Sequence, residues 1–290
     1  MSLPLPVSLT PSKVSAFKEC ALAFRFSAID RLPEPPSPWT TKGTLVHRAL
    51  QLLFWDEPPG KRTVEAALSK LERAEAEMAT DPEFTELHLS GDDQAAFFAD
   101  AEALVRRYFD LEDPDSVRVI GTELCLEVEL GSLRLRGIID RLELDDDGEL
   151  VVTDYKTGKA PRGGFELSRM AGVHFYAFLC EQVLGRRPVR IQLLHLQEPV
   201  AISVEPSGQA IRALETRSRA IWTAVERACA TEDFRPRPSR LCDFCAFKAY
   251  CPAFGGDPAA ADAVSRARVP QAPAAAPVPL APPRIAAARG

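Results

Sequence analysis

"SLRLRGIIDRLELDDDGELVVTDYK", residues 132–156, decides the fold. Apolar and polar residues alternate from Leu133 to Leu144, "DDDG" at 145–148 supplies a turn, and Val151 and Val152 open a second, β-branched run. The pattern predicts two antiparallel strands. The second strand then does something a buried strand avoids: Asp154 and Lys156 follow the valines at once, before Gly158 breaks the run. Residues two apart in a strand share a face, so Asp154 and Lys156 project together. Asp140 lies on the partner strand, 14 residues upstream, so two carboxylates and an ammonium can converge across one strand pair.

Close carboxylates raise one another's pKa unless a cation sits between them. Hard divalent ions such as Mg²⁺ take oxygen ligands, keep several waters and suit water activation beside a phosphoryl group. Lys156 beside such an ion could orient or deprotonate the water and neutralise transition-state charge. A plain salt bridge between Asp154 and Lys156, with Asp140 capping a turn, accounts for the same spacing.

Outward from the hairpin, period-two alternation begins at Gly121, and "TELCLEVEL" (122–130) predicts a preceding strand, giving an antiparallel meander. Downstream, the pattern predicts a helix over about 165–184, a strand over 189–197, another near 200–205 and a long helix over about 207–230. Upstream, "SKVSAFKECALAFRF" precedes a proline-rich break at 33–38 and a helix starting near Gly43, "GTLVHRALQLLFW". The order implies an α/β fold with a mixed sheet flanked by helices. The "AAADAVSRARVPQAPAAAPVPLAPPRIAAARG" stretch cannot build a core, and disorder is expected from 257 to 290.

With 46% apolar residues among 290, the chain can bury a sizeable core. No membrane-length apolar segment and no basic, apolar leader is evident, so the expected location is cytoplasmic. The net charge of −6 is unevenly spread: residues 61–115 carry six basic and fifteen acidic residues, leaving the remainder at +3. That acidic segment reads as amphipathic helices with a solvated face. Arg134, Arg136 and Arg141, and Arg186, Arg187 and Arg190, form clusters suited to phosphate contacts. There is no GxxxxGK[ST] phosphate loop, so any unwinding would come from a helicase or similar partner.

"GIIDRLE" (137–143), "VVTDYKTG" (151–158) and the upstream "GTLVHRAL" (43–50) together resemble the PD-(D/E)XK nuclease superfamily, in its RecB-like exonuclease branch. The resemblance runs from Ser8 to about Phe254. It implies a restriction-endonuclease-like sheet in a single domain over 1–256, with 61–115 as a helical insert. It further implies that His47, Asp140, Asp154 and the Tyr155 carbonyl hold Mg²⁺ or Mn²⁺, with Lys156 as the catalytic lysine. On the helix pattern alone, His47 among Leu45, Val46, Ala49 and Leu50 reads as a satisfied core or surface histidine, and the resemblance reverses that reading. One motif departs: the family's glutamine four residues before a tyrosine is here Gly172, before Tyr176. Tyr176 keeps its place as a candidate for substrate contact, His174 is a candidate substitute for the amide, and packing against the sheet accounts for both equally.

Seven cysteines fall at 20, 125, 180, 229, 242, 245 and 251. "CDFCAFKAYC" brings three thiolates near one centre and leaves a fourth position, for which Cys20 is the natural ligand. The resemblance agrees: the iron–sulfur branch, which includes the AddB nuclease domain and the CRISPR-associated exonucleases, places one such cysteine before the core and three after it. By that match Cys20, Cys242, Cys245 and Cys251 hold a [4Fe–4S] cluster within a clamp whose C-terminal part is 236–254, tying the chain ends together. Zinc suits four thiolates equally well. Cys125, Cys180 and Cys229 read as small buried hydrophobes. The expected function is a metal-dependent DNA exonuclease on single strands or duplex ends in repair or recombination. A weakly cutting DNA-binding scaffold of a repair or CRISPR-adaptation assembly is the rival.

Overall fold

The computed structural model describes residues 2–160 and 166–267. Among the described residues a five-stranded sheet runs in the order β1 (Arg118–Leu130), β2 (Leu133–Leu144), β3 (Leu150–Lys156), β4 (Arg190–His195) and β5 (Val200–Val204). The first three strands form the expected meander, β3 and β4 are parallel, and β4 and β5 are antiparallel. This is the mixed α/β sheet that the sequence implies.

Both faces of the sheet are covered, which explains why β3, at the centre, is buried along almost its whole length. One face carries α1 (Pro11–Glu19), α2 (Ala21–Phe24), α7 (Glu166–Leu184) and α8 (Gly208–Thr231), around Phe24, Phe26, Phe175, Phe178 and Trp222. The other carries α3 (Pro38–Asp56), α4 (Val64–Met78), the short α5 (Pro82–Thr85) and α6 (Gly91–Tyr108), around Leu50, Leu53, Leu71 and Leu104. The acidic segment therefore turns an apolar stripe onto α3 and its charges outward.

Two boundaries differ from expectation. Helix α3 starts at Pro38 rather than near Gly43, because Ser37 caps it by accepting from the Thr40 amide at 3.2 Å and Pro38 suits the first turn. Residues Pro258–Ala267 form a further helix, α9, where disorder was expected from 257. Ala261 is fully buried and Ser265 Oγ donates to the Asp30 carbonyl at 2.6 Å, so packing overrides composition there. The rest of that tail lies outside the described residues, as does the expected helix start at 165.

The edge of β2 that faces β3 is used twice. Its C-terminal end, Arg141–Leu144, pairs with β3. Its N-terminal end is met by Leu9, whose amide donates to the Arg134 carbonyl at 2.8 Å and whose carbonyl accepts from the Arg136 amide at 2.9 Å. Among the described residues, 137–140 have no backbone partner on this edge. The sheet is open there, and Asp140 stands in the opening.

Candidate metal centre

Asp140 fills the gap with its side chain. Its Oδ2 accepts from the Tyr155 amide at 2.7 Å, taking the place of a ladder carbonyl just where β3 parts from β2. Helix α3 enters from one face and sets His47 Nε2 as donor to the Tyr155 carbonyl at 3.1 Å, with Nδ1 3.5 Å from Asp140 Oδ2. Gly43 permits this approach: a Cβ there would stand 3.1 Å from Thr157 Oγ1, just past the end of β3.

Asp154 and Lys156 form the ion pair that their spacing allows, with Asp154 only 5% exposed and the Lys156 side chain 43% exposed. Asp140 does not cap a turn, so a salt bridge with a turn cap describes half of the arrangement. Tyr176, half-buried on α7, packs over Gly137 next to the opening. Burial, then the charges of Asp154, Asp140 and Glu123, push its hydroxyl pKa upward. Among the described residues, nothing lies within 4 Å of a Cβ built at Gly172. His174 is half-buried and interacts with the rest of the protein.

Sequence reasoning missed Glu123. It lies on β1 opposite Asp140, and His47 Nδ1 is 4.0 Å from its Oε1. Its φ is +48°, rare for a residue with a side chain, and β1 slips register between Val119 and Gly121. Such irregularities re-aim side chains and concentrate at functional sites. Among the described residues, only His47, Glu123 and Asp140 form a group of potential ligands whose atoms all lie within 4.8 Å of one another.

The electrostatics fit a cation. Burial first, then Asp154 and Glu123, with His47 opposing, push the Asp140 carboxyl up to about 7. Glu123 is raised as well, by burial and then by Asp154, against the opposing pull of His47. Carboxylates, an imidazole and a carbonyl converging in a partly desolvated gap are the donor set of a hard divalent ion.

The cysteines divide differently. Cys20, Cys242, Cys245 and Cys251 all line one cleft of about 1380 Å³, between α1–α2, the start of α3 and the C-terminal segment. Burial raises the Cys245 thiol pKa, the Phe247 amide works against it, and the thiols of Cys20, Cys242 and Cys251 add to the rise. Among the described residues the four do not close into a group within 4.8 Å. Cys180 and Cys229 are buried as expected. Cys125 is not: it is half-exposed and its Sγ accepts from Arg136 Nε at 3.2 Å.

The arginine clusters are also sorted. Arg141 is wholly buried, paired with Glu112 and Glu143, and is no phosphate contact. Arg134, Arg186 and Arg187 are paired with Glu127 and Glu129, Glu149, and Glu181.

A sequence model of the PD-(D/E)XK nuclease superfamily matches residues 8–252, and the chain belongs to that superfamily. The "Gene 69 protein" of Mycobacterium phage D29 is 25% identical over 274 residues, covering 84% of this chain and 96% of the phage protein. Its namesake in Mycobacterium phage L5 is 31% identical over 135 residues, covering 46% of this chain and 44% of its own. The crystal structure of an exonuclease candidate from Eubacterium rectale has the same fold, with a TM-score of 0.50, 12% identity and coverage of 82% of this chain and 86% of its own. Among the described residues no helix is long and apolar enough to cross a membrane.

Proposed function

We propose that the protein is a metal-dependent DNA nuclease, an exonuclease acting on single strands or duplex ends during repair or recombination. The observation that carries this reading is the convergence of His47, Glu123 and Asp140 in the opening of the sheet, beside the Asp154–Lys156 pair. His47, Asp140, Asp154 and the Tyr155 carbonyl would hold Mg²⁺ or Mn²⁺, with Glu123 as a further carboxylate. When bound, the ion supplies water activation and neutralisation of phosphoryl charge.

The chain's own groups do the rest. Lys156, still 43% exposed, presents its ammonium toward solvent from a buried carboxylate, where it can orient the attacking water or offset charge on the phosphoryl oxygens. Water adds to phosphorus as the bridging P–O bond breaks. Tyr176 packs over Gly137 beside the opening and, like any tyrosine at neutral pH, keeps its proton. It can therefore donate a hydrogen bond to the substrate.

We assign Cys20, Cys242, Cys245 and Cys251 to a structural [4Fe–4S] cluster. A single tetrahedral zinc, with Zn–S bonds of about 2.3 Å, would draw the sulfurs to within ~4 Å of one another. Four thiolates suit zinc equally well, and the cluster is preferred on the pattern of one cysteine before the core and three after it that resembles the iron–sulfur branch. The cluster's place, against α1–α2 at one end of the chain and 242–251 at the other, suits a clamp.

The test is hydrolysis of end-labelled single-stranded, duplex and circular DNA with Mg²⁺ or Mn²⁺ by anaerobically purified protein, after its visible spectrum is recorded. Linear but not circular DNA should be degraded, and Asp154→Ala should abolish the activity. A wild type as inert as Asp154→Ala, yet still binding DNA, would leave the scaffold reading.

A further inference from the structure

The opening in the sheet has two rims. Lys156 marks one, at the end of β3. The other is made where the N-terminal segment is stitched to β2 through Leu9, and there three cations gather from separate parts of the chain. Lys13 comes from the first turn of α1, held by a bond from its Nζ to the Ser8 carbonyl at 3.1 Å. Arg31 follows the helical turn at Arg25–Ile29 and has a left-handed backbone, with φ of +53°. Arg136 extends from β2, with its Nε bonded to Cys125 Sγ.

Such a gathering costs energy. Burial, then Arg31 and Arg136, hold the Lys13 ammonium below its ordinary range. Lys13 also stands at the positive end of the α1 dipole. Arg134, Arg187 and Arg219, by contrast, are each matched by a glutamate. Among the described residues, neither Lys13 nor Arg136 has a carboxylate within ion-pairing distance. A partner that brings negative charge to Lys13 and Arg136 would lower the cost.

We propose that Lys13, Arg31 and Arg136 form a phosphate subsite that grips the nucleic-acid backbone at the far rim of the opening, on a phosphodiester other than the one cut. The strand sets the scale. Arg136 and Asp140 share one strand four residues apart, which at about 3.4 Å per residue is ~14 Å. A free monophosphate cannot engage both, whereas a polynucleotide can lie along the exposed face of β2, where Ile138 is 44% exposed between them. This deepens the nuclease reading and rests on it for the identity of the polyanion.

The test is fluorescence anisotropy of a labelled oligothymidylate in EDTA, from about 50 to 200 mM salt, with wild type, Lys13→Gln, Arg136→Gln and Lys13→Arg. Unchanged thermal midpoints establish folding. Each glutamine variant should bind roughly three- to tenfold more weakly and lower the slope of log affinity against log salt by about 0.7, while Lys13→Arg keeps both. Wild-type affinity and slope in both glutamine variants would overturn the subsite. Hydrolysis with Mg²⁺ or Mn²⁺, followed in parallel, separates the two readings. Cutting with an unchanged slope removes the subsite and leaves the nuclease; a reduced slope without cutting keeps the subsite and removes the nuclease.

Discussion

Asp140 and Arg141 are neighbours in sequence and opposites in electrostatics. The Arg141 guanidinium, wholly buried, is met by Glu112 Oε2 at 2.9 Å, Tyr155 Oη at 2.9 Å, Tyr108 Oη at 3.1 Å and Thr153 Oγ1 at 3.2 Å, with Glu143 beside it and the Phe54 ring 4.8 Å away. Its charge is fully answered. Asp140 faces two further carboxylates with one imidazole and one amide to offset them. Tyr155 joins the two clusters, giving its amide to Asp140 and accepting from Arg141 at its hydroxyl. A compensated cluster holds β2, β3 and the end of α6 in register; an uncompensated one, a residue away, is held ready for something that the chain does not itself provide.

The sharpest way to break this contrast is to delete the reactive side. Asp154→Ala and Lys156→Ala should each lower DNA hydrolysis by about 10²–10⁴-fold. Their urea midpoints should stay near that of wild type, because Lys156 is half-exposed and Asp154 lies among like charges. A comparable loss of stability in either variant would place the pair with the structural cluster instead.

Arg141→Met probes the other side. It leaves Glu112 and Glu143 without their cation, and removing one partner of a buried pair costs about 3–5 kcal/mol. Urea unfolding should show that loss, and the triple change Arg141→Met, Glu112→Gln, Glu143→Gln should recover much of it. A loss below about 1 kcal/mol would mean that the network carries little of the fold.

For Asp140 the sign reverses. Its folded pKa of about 7 lies above the ordinary 3.8, so the fold holds the proton more tightly than the unfolded chain does. Stability of the metal-free protein from this group is full below about pH 4 and declines as pH rises through about 7. Asp140→Asn keeps an oxygen for the Tyr155 amide and removes the charge. In EDTA at pH 8 it should be more stable than wild type, by on the order of 1–3 kcal/mol, and the difference should vanish near pH 4. Thermal melts across that range decide; a variant less stable at pH 8 contradicts the sign.

The same contrast explains what the sequence could disclose. Asp140, Asp154 and Lys156 were legible because strand periodicity and a short turn bring them together through local geometry alone, and the meander and the mixed character of the sheet followed from the same patterns. Glu123 was not, because nothing in "TELCLEVEL" signals the register slip and left-handed backbone that aim it at His47. Arg141 looked like a phosphate contact beside Arg134 and Arg136, since its glutamate Glu112 is 29 residues away and reaches it only through tertiary packing. Helix α9 was hidden for a similar reason: an alanine-rich stretch signals little until Ala261 meets a core.

The smallest expected effect lies where the family pattern is broken. Gly172 sits within α7 with no described neighbour within 4 Å of an added Cβ, which favours accommodating a side chain there. Gly172→Gln should raise stability by about 0.5–1 kcal/mol from helix propensity alone. If the open space beside Tyr176 is part of the substrate path, the restored amide should also lower KM severalfold while leaving kcat within about twofold, since an added ground-state contact binds substrate and transition state alike. A stability gain with KM unchanged would confine α7 to packing at that position. Position 172 would then add nothing to the site, and the contrast between Asp140 and Arg141 would rest there on β2 and β3.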